Sequence, residues 1–240
     1  MNGRRDVLLE GIVGSTAYGL AGPGSDIDYA GIYVEPTRNL LGLRPPQRQT
    51  RQGRDGADAT YHEIGKAMRL MLSCNPTATE ILWLDTYTAD TGFGRELIAL
   101  RGSFLSAQRV RDAFFGYATS QFRRLLARDG EPAAATARRA KHARHTLRLL
   151  WQGYELYTTG RLPIRVPDPE RYHALGDAIA DDPGAEAVRR LVAEYEHRFD
   201  TAVTVLPRTP DEAPLDDLLQ RIRRAHLDSP EAAAREGAAF

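Results

Sequence analysis

Cysteine is nearly absent. Cys74 is the only one in 240 residues, which excludes an internal disulfide and any zinc cluster built on thiolates. Lysine is almost as scarce: thirty of the 32 basic residues are arginine, the exceptions being Lys66 and Lys141. With the many alanines, this reads as the imprint of a GC-rich genome more than a demand of function. Net charge is missing too, because 32 acidic residues balance the 32 basic ones, so overall charge selects no acidic partner. Long apolar runs are lacking. Near the start, Val7 to Leu9 is interrupted by Glu10, which is too short for a signal peptide or a membrane span and points to a reduced, cytoplasmic setting. Three catalytic signatures also fail. Val13-Gly14-Ser15-Thr16-Ala17 lacks the Gly-x-Ser-x-Gly of a serine-hydrolase elbow. There is no Gly-Lys-Ser/Thr phosphate loop, and no second histidine at zinc-protease spacing after His62-Glu63.

What is present is ordinary globular composition, 42% hydrophobic and 27% charged, in a chain long enough to bury a core. Val7–Val13 reads as a buried strand stopped by Gly14-Ser15. Ile27–Val34, rich in β-branched and aromatic residues, reads as a second strand closed by Pro36. Residues 42–56 carry Gly, Pro, Gln and Arg without periodicity and read as a loop. Ala57–Tyr61 is a short third strand, and from His62 the apolar residues Ile64, Ala67, Met68, Met71 and Leu72 repeat at helical spacing. Asn75-Pro76 stops that helix, and another starts at Thr77.

From about residue 105 the pattern is helical throughout. Val110, Phe114, Tyr117, Ala118, Phe122 and Leu125 form one apolar stripe. A second runs from Ala140 to Tyr157 and ends at Gly160, placed to cap a helix. Pro163–Pro169 is linker-like, with further helices expected at 170–180, 185–203 and 213–227. The expectation is an α+β chain: a catalytic unit over 1–105, a helical unit over 106–228 and a flexible tail over 229–240.

Three features of the first sixty residues carry chemistry. Gly14-Ser15 ends a strand; Asp26-Ile27-Asp28 follows, with ten residues between Ser15 and Asp26; Asp58 lies between Ala57 and Ala59 on a later strand. Strand residues two apart share a face, so Asp26 and Asp28 are expected to point the same way, with Ile27 in the core. Two carboxylates on one face raise each other's proton affinity, and a divalent cation removes that cost. Mg²⁺ takes carboxylate, phosphate and water oxygens, which suits a site completed by a triphosphate. If a neighbouring strand delivers Asp58, three carboxylates can serve two metals about 3.5–4 Å apart, an arrangement suited to phosphoryl transfer. Gly14 lets backbone approach a ligand closely, and Ser15 offers a hydroxyl and an amide to phosphate oxygens. Each feature alone is commonplace: a turn, or surface acids. Their order and spacing make the signal.

That pattern resembles the DNA polymerase β-like nucleotidyltransferase superfamily. More narrowly, Gly14–Gly19, Gly24-Ser-Asp-Ile-Asp-Tyr-Ala-Gly-Ile32, Tyr61-His-Glu-Ile-Gly-Lys66, Asn75–Trp83 and Lys141–His145 through Tyr157–Leu162 resemble the RlaP-type nucleotidyltransferases, some of which lie near RNA-repair genes. The resemblance implies a minimal mixed sheet flanked by helices, with a helical C-terminal domain closing over the nucleotide. It implies Asp26 and Asp28 as ligands of Mg²⁺ (or Mn²⁺). Asp58 would bind a second metal and help deprotonate the acceptor hydroxyl, with Asp55 and Glu63 as competitors for that place. Gly14 and Ser15 would hold the β and γ phosphates of an NTP, ATP foremost. An RNA end is the preferred acceptor, ahead of a protein or small molecule. The competing function is a non-catalytic, nucleotide-binding regulatory or antitoxin-like module.

Arg138, Arg139, Lys141, Arg144 and Arg148, with His142 and His145, form a basic stretch. One reading is a solvated helix face. The other places Lys141, His145 and Arg148, at i, i+4 and i+7, on a face toward the cleft, where they neutralise a triphosphate or an RNA backbone. His62 and Glu63 are expected to open a helix, as a cap or as support for the site. Tyr18, Tyr29 and Trp151 read as packing residues.

Overall fold

The computed structural model describes residues 6–46, 50–54, 57–126, 132–179, 182 and 184–227. The fold is α+β: a mixed sheet flanked by helices, then a helical region. β1 (Asp6–Val13) pairs antiparallel with β2 (Asp28–Val34), and β2 pairs parallel with β4 (Ala57–Glu63). Two strands were not legible beforehand. β3 (Thr50–Arg54) lies within the segment read as a loop and pairs antiparallel with β4, while β5 (Ala89–Asp90) adds to the far edge of β1. The order across the sheet is β3-β4-β2-β1-β5. β3 has no apolar alternation because an edge strand is held by its ladder more than by its side chains.

β1 runs directly into the single-turn helix α1 (Gly14–Tyr18), and α2 (Thr37–Leu41) follows β2. α3 (Ile64–Leu72) begins two residues later than expected, since His62 and Glu63 complete β4. The capping expectation for Glu63 holds: its carboxylate accepts the Gly65 amide at 2.8 Å. α4 (Pro76–Thr79) continues as a 3₁₀ turn at Glu80–Trp83, and α5 (Gly92–Ala99) leads to a second 3₁₀ turn at Arg101–Phe104.

α6 (Ala107–Leu126) and α7 (Pro132–Thr159) form the central helix pair of the C-terminal region. α8 (Pro169–Ala178), α9 (Glu186–Thr201) and α10 (Glu212–Ala225) complete it, each within a few residues of the expected range. Gly160, with φ +71°, ends α7 as a left-handed cap, its amide donating to Leu156 O at 3.0 Å. The expected tail over 229–240 lies outside the described residues.

Two cores organise this. Leu8, Leu9, Ile32 and Val34 from the sheet pack with α3, α5 and the 3₁₀ turns, and α10 returns to seal this core with Leu215, Leu218 and Ile222. Arg223 on α10 grips Glu63 through two hydrogen bonds, at 2.6 and 3.0 Å. The second core joins α6 and α7 to α1 through Tyr18 and Leu20. The Pro163–Pro169 stretch is not a free linker. Ile164 and Val166 are buried in this second core, and the Val166 amide donates to Tyr18 O at 3.0 Å. Its alternating apolar residues clamp α7 against the start of the sheet, and α7 thereby forms a wall facing α1.

Candidate active site

Asp28 is the first residue of β2, opposite Val13 on β1 and opposite Asp58 on the parallel strand β4. In-register partners on neighbouring strands stand side by side on one face. The topology therefore sets the lone acid of β4 beside the acid of β2, the condition the sequence reading left open. Asp26 differs from expectation. It precedes the strand in an irregular segment, and Ile27 is 46% exposed rather than in the core. Asp26 and Asp28 nevertheless share a cavity, because the loop, and not strand alternation, aims them.

That cavity, of about 410 Å³, is bounded on one side by Ser15, Tyr18, Ser25, Asp26 and Asp28, and on the other by Lys141, Arg144 and His145 of α7 with His173 of α8. Gly14 makes the close packing possible. Its φ is +70°, and a β-carbon there would overlap the Asp28 carboxylate at Oδ2. Gly14→Ala is expected to lose about 1–2 kcal/mol from the left-handed backbone alone, with a further loss as Asp28 is pushed aside. Urea unfolding checks this, and an unchanged midpoint would remove Gly14 from the site's architecture.

Burial and the neighbouring charges of Asp58 and Asp26 raise the Asp28 carboxyl above its ordinary range, while Lys141 pulls it back. Asp28 thus feels both other acids and the lysine across the cleft. Asp58 is exposed and does not line the cavity; it stands on the β4 side of Asp28. Among the described residues no three His, Cys, Asp or Glu side chains are gathered closely enough to hold a metal ion by themselves. The donors are all carboxylate oxygens, and those of Asp26 and Asp28 open on a cavity with room for phosphates, which fits Mg²⁺ chemistry completed by substrate and water. Of the two competitors for the third acid, Glu63 is 1% exposed and committed to the α3 cap and Arg223. Asp55 lies outside the described residues.

The basic stretch divides by helical turn. Lys141, Arg144 and His145 face the cavity. Arg139 and His142 instead tie helices together, Arg139 donating to Leu125 O and Asp182 O, and His142 Nδ1 meeting Gln121 Oε1 at 2.8 Å. Arg148 does not reach the cleft. One turn further along α7, it is buried behind Tyr18, with its guanidinium 3.9 Å from the ring centre and 3.8 Å from Glu80 Oε2. Spacing i+7 carried it past the cavity and into the second core. Arg144 takes the open place, its guanidinium crossing α8 where Gly176 has no side chain to obstruct it. Its own signal was membership of the basic stretch; His173 had none, being a lone histidine on a different helix.

His145 is no cation. Burial and the charges of Arg148 and Lys141 push its pKa down to about 3. It enters the cleft as a neutral imidazole able to donate one hydrogen bond. The unfolded chain protonates His145 near pH 6.5. The folded chain resists until about 3, so this residue contributes stability above pH 6.5 that is lost as pH falls. Asp28 and Glu80, whose carboxyls are raised, act in the opposite sense near their own range. A paired comparison isolates the histidine: the stability of wild type relative to His145→Gln should rise by up to about 1.4 kcal/mol per pH unit between pH 4.5 and 6.5. A flat difference would show a solvated imidazole.

A mixed sheet presenting register-paired aspartates beside a Gly-Ser turn, roofed by a cationic helix, defines a DNA polymerase β-like nucleotidyltransferase architecture. Residues 3–226 match the RlaP family, described as an RNA repair pathway DNA polymerase beta family, and the chain belongs to it. No curated protein matches the chain. Among the described residues no helix is long and apolar enough to cross a membrane.

Proposed function

We propose that this protein transfers a nucleoside monophosphate from an NTP, ATP foremost, to a hydroxyl on an RNA, releasing pyrophosphate. The observation that carries this reading is the pairing of Asp58 in register with Asp28, which with Asp26 lines a cavity whose opposite wall is cationic. Family membership supports the chemistry class and the link to RNA repair.

Asp26 and Asp28 would hold Mg²⁺ (or Mn²⁺) on the cavity side, with Asp58 completing the set from β4. The ion, when bound, neutralises charge on the triphosphate and on the attacking oxygen. The chain's own groups do the rest. Ser15 offers its hydroxyl and amide to the terminal phosphates, while Gly14 leaves room for the Asp28 carboxylate beside that turn. Lys141 and Arg144 offset triphosphate charge from α7, and neutral His145 donates a hydrogen bond rather than a charge. Asp58, on the open side, accepts the proton of the acceptor hydroxyl. The hydroxyl oxygen then bonds to the α-phosphorus as the bond to the bridging oxygen breaks, and that oxygen leaves with its electron pair as pyrophosphate.

The test is incubation of the full chain with Mg²⁺ and each α-labelled NTP, with and without total RNA, reading pyrophosphate release and label transfer. Label on RNA is the expected result. Tight NTP–Mg²⁺ binding with no turnover on any acceptor would overturn the enzymatic reading in favour of a regulatory binding module.

A further inference from the structure

Lys141 has two neighbourhoods. It lines the cavity with Arg144 and His145, and its charge reaches Asp28 from across it. It also bears on His142, whose Nδ1 meets Gln121 Oε1 at 2.8 Å where α7 lies against α6. Around that contact the surface is cationic. Arg138 stands one turn before His142 on α7, on the side away from the buried Arg148, and Arg124 stands one turn after Gln121 on α6. Arg124, Arg138 and Lys141 are all exposed. Burial first, and then the positive charges of Arg124, Lys141 and Arg138, hold the His142 pKa below its ordinary value, so three cations gather about one imidazole. The sequence carries one sign along both helices. There is no acidic residue over 113–128 or 132–154, in a chain whose charges otherwise balance, and only Asp129 and Glu131 fall between. Like charges one turn apart on a helix, such as Arg138 and Lys141, cost stability rather than add to it. Arg124 and Arg138 do not line the cavity, so a bound nucleotide leaves them unexplained.

We propose that this ridge, Arg124, Arg138 and Lys141, binds the phosphates of a single-stranded RNA acceptor and brings its end to the cavity beside Asp28. The proposal rests on the nucleotidyltransferase reading and gives its second substrate a place. Lys141 is the hinge between the two, being at once in the cavity wall and on the ridge. Each phosphate neutralised releases counterions, so an extended surface of one sign suits a polyanion. A small hydroxylated acceptor would not span it, because Arg138 lies about 10 Å along α7 from His145.

The experiment measures two affinities on the full chain: labelled single-stranded RNA by anisotropy across a salt series, and a fluorescent NTP with Mg²⁺. Arg124→Gln/Arg138→Gln should weaken RNA binding about ten- to thirtyfold at 0.1 M salt and flatten the salt slope by about 1–2. NTP affinity should stay within about twofold, which also reports an intact fold. Arg124→Lys/Arg138→Lys keeps both charges and should bind RNA within about threefold of wild type. Arg95→Gln/Arg224→Gln removes two exposed arginines from α5 and α10 instead, and should leave RNA affinity within about twofold. The proposal is overturned by unchanged RNA binding in Arg124→Gln/Arg138→Gln, by an equal loss in Arg95→Gln/Arg224→Gln, or by polyglutamate competing as well as unlabelled RNA. Any of these leaves the nucleotide reading intact. Absence of NTP–Mg²⁺ binding by wild type overturns the nucleotide reading itself.

Discussion

Asp28→Asn is expected to reduce Mg²⁺-dependent pyrophosphate release by at least about a thousandfold, while leaving the metal-free protein as stable as wild type or more so. The two halves of this result share one cause. The Asp28 carboxyl is raised by burial first, then by Asp58 and Asp26, with only Lys141 opposing. For a carboxyl whose folded pKa exceeds its unfolded value, the contribution to stability is present at low pH and lost as pH rises through the folded pKa. At neutral pH the ionised Asp28 therefore opposes folding, and the isosteric amide removes that opposition. On the proposed reading the charge serves a divalent cation held against a triphosphate. The same logic fixes the ligand response. Mg²⁺ with NTP should raise the melting temperature of wild type in proportion to the logarithm of ligand concentration, and Asp28→Asn should lose most of that rise. EDTA should abolish turnover in wild type and change nothing in the variant. Turnover of Asp28→Asn within tenfold of wild type would remove Asp28 from the chemistry. A large fall in its metal-free stability would show a structural carboxylate instead.

Much of the placement of these residues is legible in the sequence, and the reasons are local. Gly14, Asp28 and Asp58 sit at strand ends, where sequence pattern, backbone conformation and ligand geometry constrain the same few residues. Pairing Asp28 with Asp58 needed only that two strands be neighbours, and the parallel register supplied it. What escaped notice depended on contacts distant in sequence. β3 exists because β4 offers it a ladder, and its own residues carry no strand period. Ile27 was expected inside because alternation was extended two residues beyond where the strand begins. Helical periodicity places Arg148 on the cleft face because it states which residues share a face and not how far along the axis the cavity extends. A helix advances about 1.5 Å per residue, so i+7 lies more than 10 Å from i, beyond a cavity that occupies about one turn of α7.

The misplaced arginine leads to the largest expected effect on stability. Arg148 and Glu80 form a buried pair at 3.8 Å; Tyr18 donates to Glu80 at 2.7 Å and Gln152 accepts from Arg148 at 2.6 Å. The cluster joins α1, the 3₁₀ turn after α4 and α7 directly beneath the cavity floor, so it sets where Lys141 and Arg144 stand relative to Asp28. It is imperfectly satisfied, since Arg148 Nε has no hydrogen-bond partner among the described residues. Burial raises the Glu80 carboxyl even though Arg148 and the Tyr18 hydroxyl draw it down. Desolvation therefore outweighs attraction, as it commonly does for interior ion pairs. Arg148→Met should cost about 3–5 kcal/mol by stranding Glu80, and Glu80→Gln a comparable amount by stranding the guanidinium. Removing both charges together, in Glu80→Gln/Arg148→Met, should return the protein to within about 1–2 kcal/mol of wild type, because the amide still accepts the Tyr18 hydroxyl and the methionine fills the space beneath the ring. Urea unfolding of the four proteins closes the cycle, and a double variant as unstable as the sum of the singles would show that the pair is not a coupled unit. Turnover then separates packing from positioning. The double variant is expected to fold well and yet to bind NTP more weakly, because the charged pair fixes the height of α7 and with it the place of Lys141 and Arg144 in the cavity wall.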